Sequence, residues 1–370
     1  GYMSSIQCFS SHHVEARERF RAAAVTAGAQ VACYSHPDHG PDGETLETDV
    51  ARFGPKNATR LLILNSGTHG VEGLCGSGCQ LAWVSSGGAN RLPPDTAVVV
   101  VHLINPYGVA WQRRQTEGNV DLNRNFVDHA KRVYPANPLY DRLHPFLVPE
   151  NSTEGARADA DRKLEGLRAQ VGSRAYSSAV LVGQYTQPDG LFYGGREPVW
   201  SNFAFRRILS EHCTGAQSLA FLEYHTGLGP FGYGMMVTMH PPRTAALERA
   251  KRWYGRSLCA SLENLEQGVT ADDMPIATSF LAGAVEEFAR SAAVTSAALE
   301  FGTFPLENRI ALFREDAGLH RDGDPMSPRG RDVRRRVEEF FYPRSTDWLD
   351  MVASRSDQVV RQALTGLAAQ

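Results

Sequence analysis

Apolar runs of strand length alternate along this chain with longer stretches in which apolar residues recur at helical spacing. The strand-like runs are Val31 to Tyr34, Leu61 to Asn65, Ala97 to Leu103, Ser218 to Tyr224, Gly234 to Met239 and Val294 to Phe301. Helical spacing covers about Val14 to Ala27, Gly73 to Ser85, Ala156 to Val171, Asn202 to His212, Thr244 to Leu258, Leu306 to Leu319 and Asp332 to Phe341, with a last helix over Trp348 to Leu367. Such alternation predicts an α/β fold built on a mixed, mostly parallel sheet with helices on both faces. Residues 128–200 break the rhythm with many Pro, Asn, Tyr and charged positions between two core strands. They read as a lid-like excursion or a small subdomain inserted into a single domain spanning residues 1–370.

Composition narrows the partners. A chain of 370 residues with 42% hydrophobic content buries one large core, or one core and a smaller appended unit. Acidic and basic residues nearly cancel, 41 against 38, so neither nucleic acid nor an anionic membrane is expected as a partner. The longest apolar runs, such as Ala97 to Val101, fall far short of the roughly 20 residues a bilayer requires. Gly1-Tyr2 before Met3 reads as a remnant of an added segment, and the amino end lacks the apolar core of a signal peptide. The six cysteines, Cys8, Cys33, Cys75, Cys79, Cys213 and Cys259, show no framework spacing and read as reduced thiols of a cytoplasmic protein. Cys75 and Cys79 share a helix face, and without further Cys or His at ligand spacing they read as small core residues.

Two short words carry the chemistry. His69-Gly70-Val71-Glu72 follows the run Leu61 to Asn65, and Glu223-Tyr224-His225 ends the run from Leu219. A histidine and a carboxylate three residues apart can close on one metal from a tight turn, and a second histidine from a neighbouring strand end completes three ligands. A fourth position stays open to water, which marks a catalytic rather than a structural zinc site. Between these words lies a loop with Asn105-Pro106-Tyr107-Gly108, Arg113-Arg114 and Asp121-Leu122-Asn123-Arg124-Asn125-Phe126. It follows a strand and is expected over the carboxyl edge of the sheet, where open α/β folds bind ligands. Its planar, permanently charged guanidiniums suit a carboxylate or a developing oxyanion.

The order of these words resembles the zinc carboxypeptidase superfamily, and within it the branch related to aspartoacylase and succinylglutamate desuccinylase. The resemblance runs through His-Gly-Val-Glu-Gly at 69–73, Asn-Pro-Tyr-Gly at 105–108, Asp-Leu-Asn-Arg-Asn-Phe at 121–126, Tyr-His-Thr-Gly at 224–227 and Leu-Glu-Phe-Gly-Thr at 299–303. It continues through Ala317-Gly318-Leu319-His320 to Phe340-Phe341-Tyr342-Pro343 and so spans most of the chain.

The resemblance implies roles. His69, Glu72 and His225 would hold one zinc ion per chain, Asp121 would fix the far nitrogen of His69, and Glu223 would stand behind the ligands. Glu300 matches the family's general base, Arg113 or Arg114 would stabilise the oxyanion, and Asn123 and Arg124 would clamp a substrate carboxylate. The expected reaction is hydrolysis of a peptide or N-acyl amide bond beside a carboxylate, in a small molecule or short peptide. A non-catalytic binding protein on the same fold, and an N-acyl amino acid deacylase in place of a carboxypeptidase, are the alternatives. The substrate-contacting tyrosine of the family's peptidases has no local match, since neither Tyr233 nor Tyr254 fits. Gly227-Leu228-Gly229-Pro230-Phe231-Gly232 fits a dinucleotide-binding spacing, but a strand rather than a helix is expected after it, leaving no helix amino-terminus for a pyrophosphate.

Overall fold

The computed structural model describes residues 4–150, 153–268 and 279–370. Gly1, Tyr2 and Met3, with the remnant expected there, lie outside the described residues. Eight strands form one sheet: β1 (Val31–His39), β2 (Thr45–Phe53), β3 (Arg60–Asn65), β4 (Thr96–His102), β5 (Ser218–Phe231), β6 (Gly234–Thr238), β7 (Cys259–Ala260) and β8 (Ala293–Gly302). Their order is β1-β2-β4-β3-β5-β8-β6-β7. The central strands β4, β3, β5 and β8 run parallel, and antiparallel pairs flank them at β1–β2, β2–β4 and β6–β8. The expected mixed, mostly parallel sheet is the one observed.

The strands read as unbroken apolar runs because helices cover both faces. Leu62, Leu64, Val98, Val100 and Leu222 pack with the helices His13–Thr26, Gly73–Ser85 and Thr346–Ala368. The alternate residues Leu61, Ile63, Val99, Val101 and Phe221 pack with Trp200–His212 and Leu281–Phe288 on the opposite face. Burying β4 along its whole length leaves nothing polar between Ala97 and Val101.

Several elements depart from the sequence reading. Strand β2 was not expected, because Glu47, Asp49 and Arg52 interrupt its apolar alternation. Asp49 is nevertheless fully buried, since Nε of Arg17 and a terminal nitrogen of Arg21 reach it at 2.7 and 2.8 Å from the adjacent helix. Strand β5 continues beyond Tyr224 to Phe231, taking the glycine-rich word into the sheet instead of a phosphate-binding turn. The helix expected to reach Leu258 stops at Tyr254, where Gly255 takes φ +85°.

The described residues of the segment 128–200 include helices Pro138–Leu147, Glu154–Val171 and Ser173–Leu181. Tyr140, Leu143, Leu164 and Val180 share a hydrophobic cluster with Phe313, Val337 and Phe341 from helices Leu306–Asp322 and Pro328–Phe341. It is therefore a packed helical layer, anchored by apolar burial. Cys75 and Cys79 are buried in the main core, and all six cysteines are free thiols. Among the described residues no helix is long and apolar enough to cross a membrane.

Candidate metal centre

The site assembles where β3 and β5 end. After β3 the chain turns, His69 adopts extended backbone angles, and a single 3-10 turn over Gly70–Glu72 leads into helix Gly73–Ser85. This turn is clamped from outside: the N–H groups of Gly70 and Val71 donate to the carbonyls of Arg114 and Arg113 at 3.1 and 2.9 Å. Position 70 must be glycine for the backbones to approach this closely. A Cβ there would fall 2.1 Å from the carbonyl carbon of Gly108.

His69, Glu72 and His225 converge, with ligand atoms all within 4.8 Å of one another. Nδ1 of His69 lies 3.2 Å from Oε2 of Glu72, and Nδ1 of His225 lies 3.3 Å from Oε1. The opposite nitrogen of each ring meets a carboxylate. Nε2 of His69 is 3.0 Å from Oδ1 of Asp121, and Nε2 of His225 is 3.3 Å from Oε1 of Glu223. Thr68 donates to that same Glu223 oxygen and receives a hydrogen bond from Nδ2 of Asn65 at 3.1 Å. The N–H of Thr226 donates to Oε1 of Glu72 at 2.7 Å.

This cluster fits a metal ion. Nδ1 of His69 is buried without a hydrogen bond of its own, although it faces Glu72, and two imidazole nitrogens with a carboxylate are a usual zinc donor set. Electrostatics point the same way. Burial would raise the Glu72 carboxyl, yet His69 and His225 hold it well below the usual carboxylate range. Burial would lower His225, yet Glu223 and Glu72 hold it well above the ordinary imidazole value. Both directions favour positive charge among these side chains, and a metal ion would compete with protons for the same ligand atoms.

Glu300 stands beside His225 on β8 and is buried. Burial pushes its carboxyl up to about 7, against the pull of the nearby His225 and with a further push from Glu72. Asp121 is held well below the usual range because Arg114, His69 and Arg124 override the effect of its burial.

The two adjacent arginines separate. Arg113 does not line the site: its Nε and terminal nitrogen bind both oxygens of Asp316 at 3.1 and 2.8 Å, and a third contact goes to Asn119. Arg114 lines it, with Nε 3.0 Å from Asp121 and a terminal nitrogen 3.4 Å from Glu72, its guanidinium lying over Phe192 and Phe313. Successive residues of an irregular segment point apart, which the repeated Arg letter conceals. Arg124 also lines the site, but three of its donors already serve the carbonyls of Val182, Asn123 and Leu181. Asn123 accepts the N–H of Leu281 at 3.0 Å and so holds the start of helix Leu281–Phe288. Arg309, which the sequence reading passed over, lines the same cavity from helix Leu306–Asp322. Nothing in its local sequence distinguishes it from a solvated helix charge.

His69, Glu72, His225, Glu223, Glu300, Arg114, Asn123, Arg124 and Arg309 line one cavity of about 350 Å³ with mostly apolar walls, and Arg113 and Asp121 do not. The sheet and the helical layers that cover it have a metallocarboxypeptidase-like fold. The chain belongs to the family described as a protein of unknown function, DUF2817, which matches residues 9–355. No curated protein matches it. Among solved structures it is similar to a thrombin-activatable fibrinolysis inhibitor, at 10% identity and TM-score 0.52, over 100% of this chain and 77% of that one. A carboxypeptidase A from Helicoverpa armigera is similar at 12% identity and TM-score 0.45, over 89% and 73% of the two chains. A metallo-carboxypeptidase from Burkholderia cenocepacia is similar at 12% identity and TM-score 0.41, over 94% and 69%.

Proposed function

We propose that this chain is a zinc-dependent hydrolase of an amide bond adjacent to a carboxylate. The observation that carries the reading is the convergence of His69, Glu72 and His225, with Glu300 beside His225 on the neighbouring strand. Zinc held by these three side chains would supply Lewis acidity, lowering the pKa of a water from near 15.7 to about 7. Glu300, whose carboxyl lies near neutrality, accepts the proton of the attacking water and returns it to the leaving nitrogen. Asp121 and Glu223 hold the two imidazoles in the tautomer that leaves each Nδ1 free of a proton. Arg114 presents its guanidinium to the oxyanion that develops on the carbonyl. The remaining donors of Arg124, with Asn123 beside it, receive the substrate carboxylate. The same groups serve a short peptide or an N-acyl amino acid.

The test is the metal content of the purified protein by plasma mass spectrometry, with His225→Ala prepared in parallel. About one zinc per chain, lost in the variant, is expected. If neither protein takes up zinc on incubation, the hydrolase reading fails and the fold serves as a binding scaffold.

A further inference from the structure

Asn65 and Glu223 are direct partners on β3 and β5, and His225 follows Glu223 at strand spacing, so all three side chains leave the sheet on one face. β3 ends at Asn65, but the chain stays pinned beyond it. The N–H of Ser66 donates to the carbonyl of Val101 at 3.1 Å, and those of Ile104 and Asn105 donate to the carbonyls of Ser66 and Gly67 at 2.9 and 3.1 Å. Gly67 then takes φ +77°, so close to Leu103 that a Cβ would stand 3.0 Å from its Cα. This left-handed turn brings the Thr68 hydroxyl back onto Asn65 and Glu223, immediately before His69.

One arrangement of protons satisfies these groups. The Thr68 hydroxyl has a single proton, which it donates to Oε1 of Glu223, so toward Asn65 it accepts. Asn65 therefore presents Nδ2, at 3.1 Å, and its Oδ1 is left buried without a hydrogen bond among the described residues. Turning the amide over would set two acceptors against each other. Nε2 of His225 meets the same Glu223 oxygen at 3.3 Å, and because a carboxylate accepts, the ring carries a proton there. Donation runs from Asn65 through Thr68 to Glu223, and from His225 to the same atom.

A glutamate has several rotatable bonds, and a single imidazole contact does not fix it. The imidazole of His69 shows the same need: its carboxylate, Asp121, is held in turn by Nε of Arg114 at 3.0 Å. Thr68 takes the corresponding place behind His225. Asn65 and Thr68 are completely buried, so no solvent competes for the hydroxyl or replaces it when it is lost. Thr68 also precedes His69 in the chain, so one residue ties the turn that carries the first histidine to the strand that carries the second.

We propose that Thr68 is a positioning residue of the metal centre: its hydroxyl fixes the Glu223 carboxylate, which directs Nδ1 of His225 into the centre shared with His69 and Glu72. This rests on the hydrolase reading of the same site and adds to it a group that touches neither metal nor substrate. Thr68 acts through Glu223, by orienting a ligand before the ion arrives.

Zinc affinity of the full chain, measured by competition with a chelator, tests this in the wild type, Thr68→Val and Thr68→Ser. Valine keeps the shape and loses the hydroxyl, and affinity should fall about tenfold, the lower end of the range for groups that orient a metal ligand. Serine keeps the hydroxyl and should keep the affinity. In a Glu223→Ala background Thr68→Val should cost nothing further, whereas a loss through general packing would persist there. Wild-type affinity in T68V, equal losses in T68V and T68S, or an undiminished loss with Glu223 absent would each overturn the inference. The long-range 1H–15N spectrum of the zinc-loaded wild type needs no variant: His225 should carry its proton on Nε2, and a proton on Nδ1 would overturn the inference as well. In all these outcomes the wild type still holds zinc and the hydrolase reading stands. A wild type that takes up no zinc overturns both.

Discussion

His225 and Glu300 are direct partners on the neighbouring parallel strands β5 and β8, so their side chains leave the same face of the sheet at the same level. A change at either position is therefore a change beside the other. Glu300→Gln preserves volume and removes the carboxylate. Metal content should stay at the wild-type level while turnover falls by about a hundredfold or more, the usual scale for a lost acid–base group. Near-normal turnover with metal retained would remove Glu300 from the mechanism.

Asp121 binds Nε2 of His69 with one oxygen and Nε of Arg114 with the other. Asp121→Asn keeps the shape and loses the charge that raises the basicity of the imidazole. Zinc affinity, measured by competition with a chelator, should drop by about 10- to 100-fold. An unchanged affinity would show that His69 is oriented by the turn alone.

Arg113 and Arg114 should fail in different ways when replaced by alanine. Arg113→Ala leaves Asp316 buried without its cation, and urea unfolding should report a loss of about 3–5 kcal/mol. Arg114→Ala should instead reduce kcat, since its guanidinium lines the cavity beside the metal ligands. If Arg113→Ala retains full stability but loses turnover, the two assignments are reversed.

Three histidines outside the metal cluster, His13, His240 and His320, are each brought down to about 4, chiefly by burial. The unfolded chain holds its histidine protons at an ordinary value of about 6.5. Unfolding therefore takes up protons between these values. The stability they secure is complete above about 6.5 and is lost as the pH falls toward 4. The Tm of the metal-free protein should decline from about pH 6.5 downward, with the imidazole resonances of His13, His240 and His320 still neutral near pH 5. Resonances that all titrate near 6.5 would contradict the burial argument.

The central strands were legible because burial on both faces forces continuous apolar runs, and the metal words because ligand spacing is local. Strand β2 was not, since the polarity of Asp49 is neutralised by Arg17 and Arg21 from a distant helix. Likewise, no local pattern shows that helices Pro138–Leu147, Glu154–Val171 and Ser173–Leu181 pack their apolar faces on helices Leu306–Asp322 and Pro328–Phe341.

The sequence by itself determined the central strands, most of the helices that cover them and the residues able to hold a metal, because strand alternation and the His-x-x-Glu turn are set by neighbours along the chain. Only the tertiary structure decided that Arg114 rather than Arg113 reaches the cavity, that most of the donors of Arg124 are spent on carbonyls, and that Glu223 meets Thr68. Each of these outcomes turns on which distant partner meets a charge. Burial makes a charge without a partner costly, so packing determines the direction in which each side chain points.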